Sequence, residues 1–281
     1  MVVWMELSGV TTLNLEFLSG NVTPIEPDHC TGWRQLPFYV LVNNSGAFSK
    51  VETSDRNWQV NDGESYVLPP NLPHRLTVLR GEHPVSIWCH FRLTLYQSID
   101  FMKFFELPDK FTSPASDRIR DYCRTLVAPA PPVTIPVLRL MHWKTAGFTL
   151  VNEILRHCEQ HPGVDEKIAM LERLSRAIDY MSRHYRNRPL LEEVARRANL
   201  SESRFTVLFK QLMKVSPGEY WQSLRLMKAQ EMLFAGNHTV EETAEALGFY
   251  DVFHFSRQYK RHFGITPAEF LRRQRRHRSP F

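Results

Sequence analysis

The last third of this chain is written twice. FKQLMKVSPGEY, from Phe209 to Tyr220, lines up with YKRHFGITPAEF, from Tyr259 to Phe270, at a period of about 50 residues. An aromatic, a lysine, a Ser or Thr, a proline, a glutamate and a second aromatic agree position for position. Upstream, LEEVARRANLSESRFTVLFK aligns with VEETAEALGFYDVFHFSRQYK once one extra residue is allowed in the second copy, and Ala195 then matches Ala244. Self-similarity at a fixed period makes each copy one supersecondary unit, so the region must fold as two similar packages.

Each copy has the local physics of a helix-turn-helix. A short helix carries a small residue towards its partner (Ala195, Ala244), and a tight turn follows, which in the second copy contains Gly248, a residue free to adopt positive φ. Ser201 or Asp251 then caps a second helix whose inward face is Phe205, Leu208 and Phe209 in one copy, and Phe255 with Tyr259 in the other. Thr239-x-x-Glu242 reads as a capping box opening the second unit. A long helix over 217–234 joins the copies, and 167–185 places Ile168, Leu171, Leu174, Ile178 and Met181 on one face until Arg188-Pro189 ends it. Two such recognition helices on one face would meet major grooves about one DNA turn, roughly 34 Å, apart.

Charge follows the same division. Residues 167–281 carry a net charge of +9, against −4 for residues 1–166, the footprint of a C-terminal part that approaches phosphate. Part of that excess is the basic end RRQRRHRSPF. Hydrophobic residues make up 43% and charged residues 23%, which argues against extended disorder. No run approaches a membrane span and the N-terminus, MVVWMELSGV, lacks a basic region before an apolar one, so a cytoplasmic protein is expected. Cys30, Cys89, Cys123 and Cys158 show no C-x-x-C spacing and read as reduced thiols.

The N-terminal half reads differently. Between about 36 and 95, the short runs FYVLV, WQV, SYVL, LTVL and VSIWCHF are punctuated by Asn43-Asn44-Ser45-Gly46, Asn61-Asp62-Gly63 and Pro69-Pro70. That pattern predicts a small antiparallel barrel or sandwich. After the Pro-rich break APAPPVTIP, the positions Val137, Leu140, Met141, Phe148, Val151, Ile154 and Leu155 form an amphipathic helical stripe that seals the barrel mouth or pairs with another subunit. EQHPGVDE (159–166) is read as a linker region. The fold class is therefore α+β: an N-terminal domain over 1–160, a linker at 161–166, an all-α domain over 167–275 with helix-turn-helix units at 189–213 and 239–263, and a basic tail at 276–281.

With those residues in hand, 167–272 resembles the AraC family of bacterial transcription regulators. The most specific segment is AEALGFYDVFHFSRQYKRHFGITPAEF, through Ala244, Gly248, Phe249, Asp251, Phe255, Ser256, Arg257, Lys260, Gly264, Thr266 and Pro267. RLMKAQEML, with Arg225 and Ala229, is similar to that family's linker helix. The resemblance implies that Ser203, Arg204, Thr206 and Val207, with Phe253, Ser256 and Arg257, face the DNA. Of these, Arg257 can donate two hydrogen bonds to guanine, Ser256 and Thr206 one each, and Val207 offers only apolar contact to a thymine methyl. Lys210, Lys260 and Arg261 are cast as phosphate contacts. Two departures stand out: Lys214 occupies the place of Gly264, and Leu271 the place of a usual arginine.

The N-terminal half is similar, more loosely, to the cupin-like sensor domain of the same family, through WQVNDGESYVLPPNLPH (Gly63, Pro70, His74) and IWCHF (Trp88, His90, Phe91). The resemblance implies a small effector such as a sugar, a homodimer, and RNA polymerase as a partner on promoter DNA, with activation the family habit. Trp88 and His90 lie two apart and share a strand face, with Cys89 opposite. A Trp surface beside an imidazole suits a sugar, and Arg34 could supply charge or donors; His74 is the fourth candidate. A second reading makes the barrel only a dimerisation or partner-binding module. A third, a cupin enzyme, needs a metal site of about three fixed ligands, whereas the stretch holds only isolated His74, His83 and His90 and no His-x-His. No cofactor and no catalytic residue is expected.

Overall fold

A computed structural model describes residues 13–26, 28–96, 98–128, 135–187 and 190–277. The N-terminal segment before 13, most of the Pro-rich break, Arg188-Pro189 and the end of the basic tail lie outside the described residues. The chain divides into two compact units, one of residues 15–93 with 102–161, the other of 162–281 with 94–101 and the first 14 residues.

The first unit is built on an antiparallel sheet of β1 (Leu13–Pro24), β2 (Tyr39–Thr53), β3 (Asn57–Val60), β4 (Ser65–Leu68) and β5 (His74–Leu95). Its order is β1-β5-β2-β3, with β4 also pairing β2. Among the described residues no ladder joins the two edges, so the sheet is open rather than the closed barrel expected. β2 and β5 are continuous where turns and separate strands were read. Asn43-Asn44-Ser45-Gly46 sits inside β2, at a register shift between Ser45 and Ala47. There Gly46 takes a φ of 73°, and a Cβ on Gly81 opposite would collide with the Gly46 carbonyl oxygen. A glycine bulge has replaced the turn, bending both strands without ending them. LTVL and VSIWCHF consequently belong to one strand. Asn61-Asp62-Gly63 does make the turn between β3 and β4, with Gly63 at a φ of 74°.

A short strand β6 (Ile99–Asp100) pairs with the end of β5. Residues 94–101 group with the helical unit, where Ser98 is hydrogen-bonded to the Tyr220 hydroxyl at 2.6 Å and to Ser182 at 2.8 Å. β7 (Phe105–Glu106) pairs with β8 (Glu159–Gln160). Helices α1 (Ala115–Val127) and α2 (Pro136–Leu155) pack together in the sheet unit. α1 seals one sheet face: Asn43 Nδ2 donates to the hydroxyls of Ser65 and Ser116, and buried Cys123 lies beside buried Cys89. The α2 stripe divides along its length. Val151 and Ile154 are buried and Phe148 and Leu155 half-buried, whereas Val137, Leu140 and Met141 are more than half exposed.

The helical unit runs α3 (Val164–Arg183), α4 (Leu191–Arg197), α5 (Glu202–Met213), α6 (Pro217–Ala235), α7 (Val240–Ala246), α8 (Val252–Phe263) and α9 (Pro267–His277). α3 begins inside the expected linker, because Gly163 takes a left-handed conformation at its start and Asp165 and Glu166 favour the positive end of the helix dipole. The repeated Ser/Thr-Pro-x-Glu starts a third helix in each copy. Ser216 caps α6 in a reciprocal box with Glu219, and the Thr266 hydroxyl accepts from the Glu269 amide of α9. Proline stands first in both, where its missing N–H costs nothing.

The departure at Lys214 has a backbone meaning. Lys214 closes α5 at a φ of 60° and Gly264 closes α8 at 77°, both left-handed, and each amide bonds a carbonyl one turn back. The same conformation is held by a residue with a Cβ in one copy and without one in the other. Lys214→Gly is therefore expected to stabilise the helical unit by about 0.5–1 kcal/mol. The check is a higher denaturant midpoint at an unchanged slope.

Candidate nucleic-acid interface and effector cluster

The two helix-turn-helix turns share one hydrogen-bonding plan. Leu200 N donates to Ala195 O at 3.1 Å, and Phe249 N to Ala244 O at 3.0 Å. Between them sit Asn199, at a φ of 54°, and Gly248, at 66°. Asn199 is the first copy's left-handed residue, a role the sequence reading assigned only to Gly248; asparagine tolerates it through local hydrogen bonding. The one-residue insertion is Tyr250, which is 94% exposed. The turn is thus lengthened at its surface, and the small residues Ala195 and Ala244 remain buried against the second helices.

Capping fixes where each second helix begins. Ser201 accepts from the Arg204 amide and Asp251 from the His254 amide, satisfying donors that have no intrahelical partner. From there a shared periodicity turns Phe205, Leu208 and Phe209, and Phe255 with Tyr259, inward. In the second copy Phe255 and Tyr259 pack with Leu226, Ala229, Leu233, Ala244, Leu247, Phe249 and Phe270.

The outward positions follow from the same helical phase. On α5, Ser203, Arg204, Val207 and Lys210 are exposed and Thr206 is half-buried; on α8, Phe253, Arg257, Lys260 and Arg261 are exposed and Ser256 is half-buried. All ten expected DNA-facing residues thus lie on the outer parts of the two second helices. Arg261 donates to Gln258 Oε1 at 2.6 Å, while no residue is bonded to Arg257 among the described contacts.

Arg225 ties the joining helix to the second unit. Its buried guanidinium donates from Nε and Nη2 to the Leu247 carbonyl at 3.1 and 2.8 Å, and lies between the Trp221 and Phe249 rings, 4.5 and 3.9 Å from their centroids. Leu247 ends α7, where its carbonyl would otherwise face the turn unsatisfied. Burial holds the arginine below its ordinary pKa.

In the sheet unit, the four expected effector residues gather on the face away from α1. Cross-strand pairing sets Val40 opposite His90 and Val42 opposite both Trp88 and Tyr66, so these side chains share one face, whereas Cys89 and Leu41 share the other. Arg34 Nε donates to His74 Nε2 at 3.0 Å, and His74 Nδ1 lies 2.8 Å from the Leu72 carbonyl. A carbonyl only accepts, so the His74 proton sits on Nδ1 and its Nε2 lone pair receives Arg34. His90 stands between the Phe38 and Trp88 rings at 4.4 and 4.8 Å, with Ser19 on its Nδ1 at 2.9 Å. Burial first, then the nearby Arg34 and His74, push its pKa down to about 3. Trp88 Nε1 donates to Thr23 Oγ1, and burial raises the Tyr66 phenol while Arg34 opposes the shift.

Sequence reasoning missed Ser19, Thr23, Phe38 and Tyr66. The first two come from β1, outside the stretch that alternates; Tyr66 stood in a run read only as strand. No group of three His, Cys, Asp or Glu is placed to hold a metal ion among the described residues. No helix among them is long and apolar enough to cross a membrane.

Two capped, turn-matched helix pairs with polar and basic outer faces define a duplicated helix-turn-helix domain. The helix-turn-helix domain family matches residues 194–273. Similar curated proteins include the lactose operon transcription activator of Staphylococcus xylosus, 27% identical over 35% of this chain and 36% of its own length. Another is the raffinose operon transcriptional regulatory protein of Pediococcus pentosaceus, 30% identical over 37% of this chain and 38% of its own. The chain thus spans little more than a third of each of these two relatives. Among solved structures, ToxT from Vibrio cholerae is similar over 91% of this chain and 98% of that one, with 12% identity and a TM-score of 0.46.

Proposed function

We propose that the chain is a sequence-specific DNA-binding transcription regulator, with the outer faces of α5 and α8 reading promoter DNA and the N-terminal unit acting as a cupin-like sensor of a small effector. The observation that carries this reading is the pair of recognition-type helices with equivalent outward positions, Ser203, Thr206 and Val207 on one and Phe253, Ser256 and Arg257 on the other. The operon regulators among the relatives support activation of transcription through RNA polymerase. The exposed apolar half of α2 supports pairing with a second copy, since contiguous exposed apolar surface marks association. Effector occupancy regulates DNA binding by favouring one state of the protein over another.

The copies are unequal readers. Arg257 can fork onto guanine, while its counterpart Val207 can meet only a thymine methyl, so the second unit carries more of the direct base readout. At physiological salt the chain is expected to bind a promoter fragment beside its own gene more tightly than random DNA; equal affinity would sink the reading. Arg257→Ala should cost about 1–3 kcal/mol at the cognate site and relax base preference. Lys260→Ala should weaken all sequences alike and reduce the salt slope by about 1. Fluorescence anisotropy over a salt series separates the two.

A further inference from the structure

We propose that the effector carries a carboxylate and that Arg34 is its counter-ion; this rests on the effector-sensing reading above and names the ligand class. Five other arginines of the sheet unit meet carboxylates, and Arg80, Arg124 and Arg156, which do not, are exposed to water. Arg56 meets Asp109, Arg75 meets Glu52, Arg92 meets Glu16, Arg118 meets Glu153 and Arg120 meets Asp117. Arg34, grouped with His74 and His90 on the sheet face away from α1, meets no carboxylate among the described residues. Its one side-chain hydrogen bond there is the Nε donation to the neutral His74 ring.

The surroundings do not offset the charge. His74 keeps its proton on Nδ1 for the Leu72 carbonyl, so it gives Arg34 a lone pair and no negative charge. Tyr66 stays a neutral phenol, its ionisation opposed by burial. His90, pushed down to about 3, is also neutral, which leaves Arg34 as the charged member of the cluster. Withdrawing a cation from water without an anion is costly, and such a cost persists where function needs it.

The free donors define what fits. Arg34 is half-buried and its terminal nitrogens have no hydrogen bond among the described residues, and a guanidinium presents them as a planar fork that matches both oxygens of a carboxylate. Phe38 and Trp88 flank His90 as apolar walls for the body of such an acid, and Ser19, Thr23 and His90 supply polar groups at their edges. A neutral sugar would take hydrogen bonds here and leave the charge as it was.

Melting temperature and calorimetric titration of the full chain test this with matched probes, benzoate against benzyl alcohol and glucuronate against glucose. An acid should stabilise the protein where its neutral counterpart does not, and Arg34→Gln should weaken acid binding about 10- to 100-fold. The ligand-free variant gives a second readout that depends on no probe. Removing an uncompensated cation should raise the melting temperature of Arg34→Gln by about 2–4 °C; a fall would show that Arg34 is a structural tie and would overturn the proposal. Equal binding of a neutral probe and its acid would also overturn it while leaving the effector-sensing reading intact. Silence from every probe together with a lowered melting temperature would remove both.

Discussion

Arg225→Ala is expected to destabilise the helical unit by about 2–3 kcal/mol and to weaken specific DNA binding more than non-specific binding. The substitution removes two charge-assisted donations to the Leu247 carbonyl and leaves that carbonyl buried without its partner. It also empties the space between Trp221 and Phe249, where the guanidinium meets both rings. Arg225→Met separates the two losses, because it fills much of the space and supplies no donor. The methionine variant should recover part of the stability and little of the specificity, since Leu247 is then tied to α6 by packing alone. Chemical denaturation followed by far-UV circular dichroism, alongside anisotropy with cognate and random DNA, reads both effects. If alanine and methionine variants matched the parent in midpoint and specificity, Arg225 would have no part in holding the second unit.

Phe255→Ala should cost more still, about 3–5 kcal/mol. Phe255 is fully buried, packs against Phe249 at 4.9 Å and Tyr259 at 5.7 Å, and lies at the heart of the cluster beneath α8. Truncation to alanine leaves a cavity that rigid neighbours from α6, α7 and α9 cannot close. The equivalent change in the first copy, Phe205→Ala, should cost a similar amount, since Phe205 is equally buried against Phe209. Their readouts should differ. Losing the second unit removes Arg257 and should abolish preference for the cognate site, whereas losing the first should lower affinity and keep much of the preference. A Phe255→Ala protein with unchanged melting and unchanged specificity would show that the buried cluster does not set the position of α8.

These effects could be anticipated because the helical unit was written in local signals. Caps at Ser201, Thr239 and Asp251, the left-handed Gly248, and inward aromatics at helical spacing all act within a few residues of one another, where sequence speaks plainly. Ser216 with Glu219 forms a box of the same kind, which the sequence reading did not single out. Asn199 was not singled out because asparagine is only permissive of the left-handed conformation, and needs the turn to select it. The sheet unit was harder for a different reason. Asn43-Asn44-Ser45-Gly46 has turn composition, yet a bulge uses the same residues, and only the partner strand decides between them through the close approach of Gly81. The effector cluster likewise joins Arg34 and His74 to Trp88 and His90 through pairings between distant strands. Alternation could place Trp88 with His90, and nothing local could bring Arg34 beside them.

The joining helix α6 gives the duplication its mechanical character. Its first turn is the third helix of the first copy, with Ser216 capping it as Thr266 caps α9 in the second, so the first copy runs directly into the joining helix. Its 19 residues make a rod about 28 Å long in which every inserted or deleted residue advances the far end by about 1.5 Å and turns it by about 100°. The joint is therefore a screw rather than a tether. The phase between the two stretches of DNA this domain can address together is written in the length of one helix, and changes to it come in whole-residue steps.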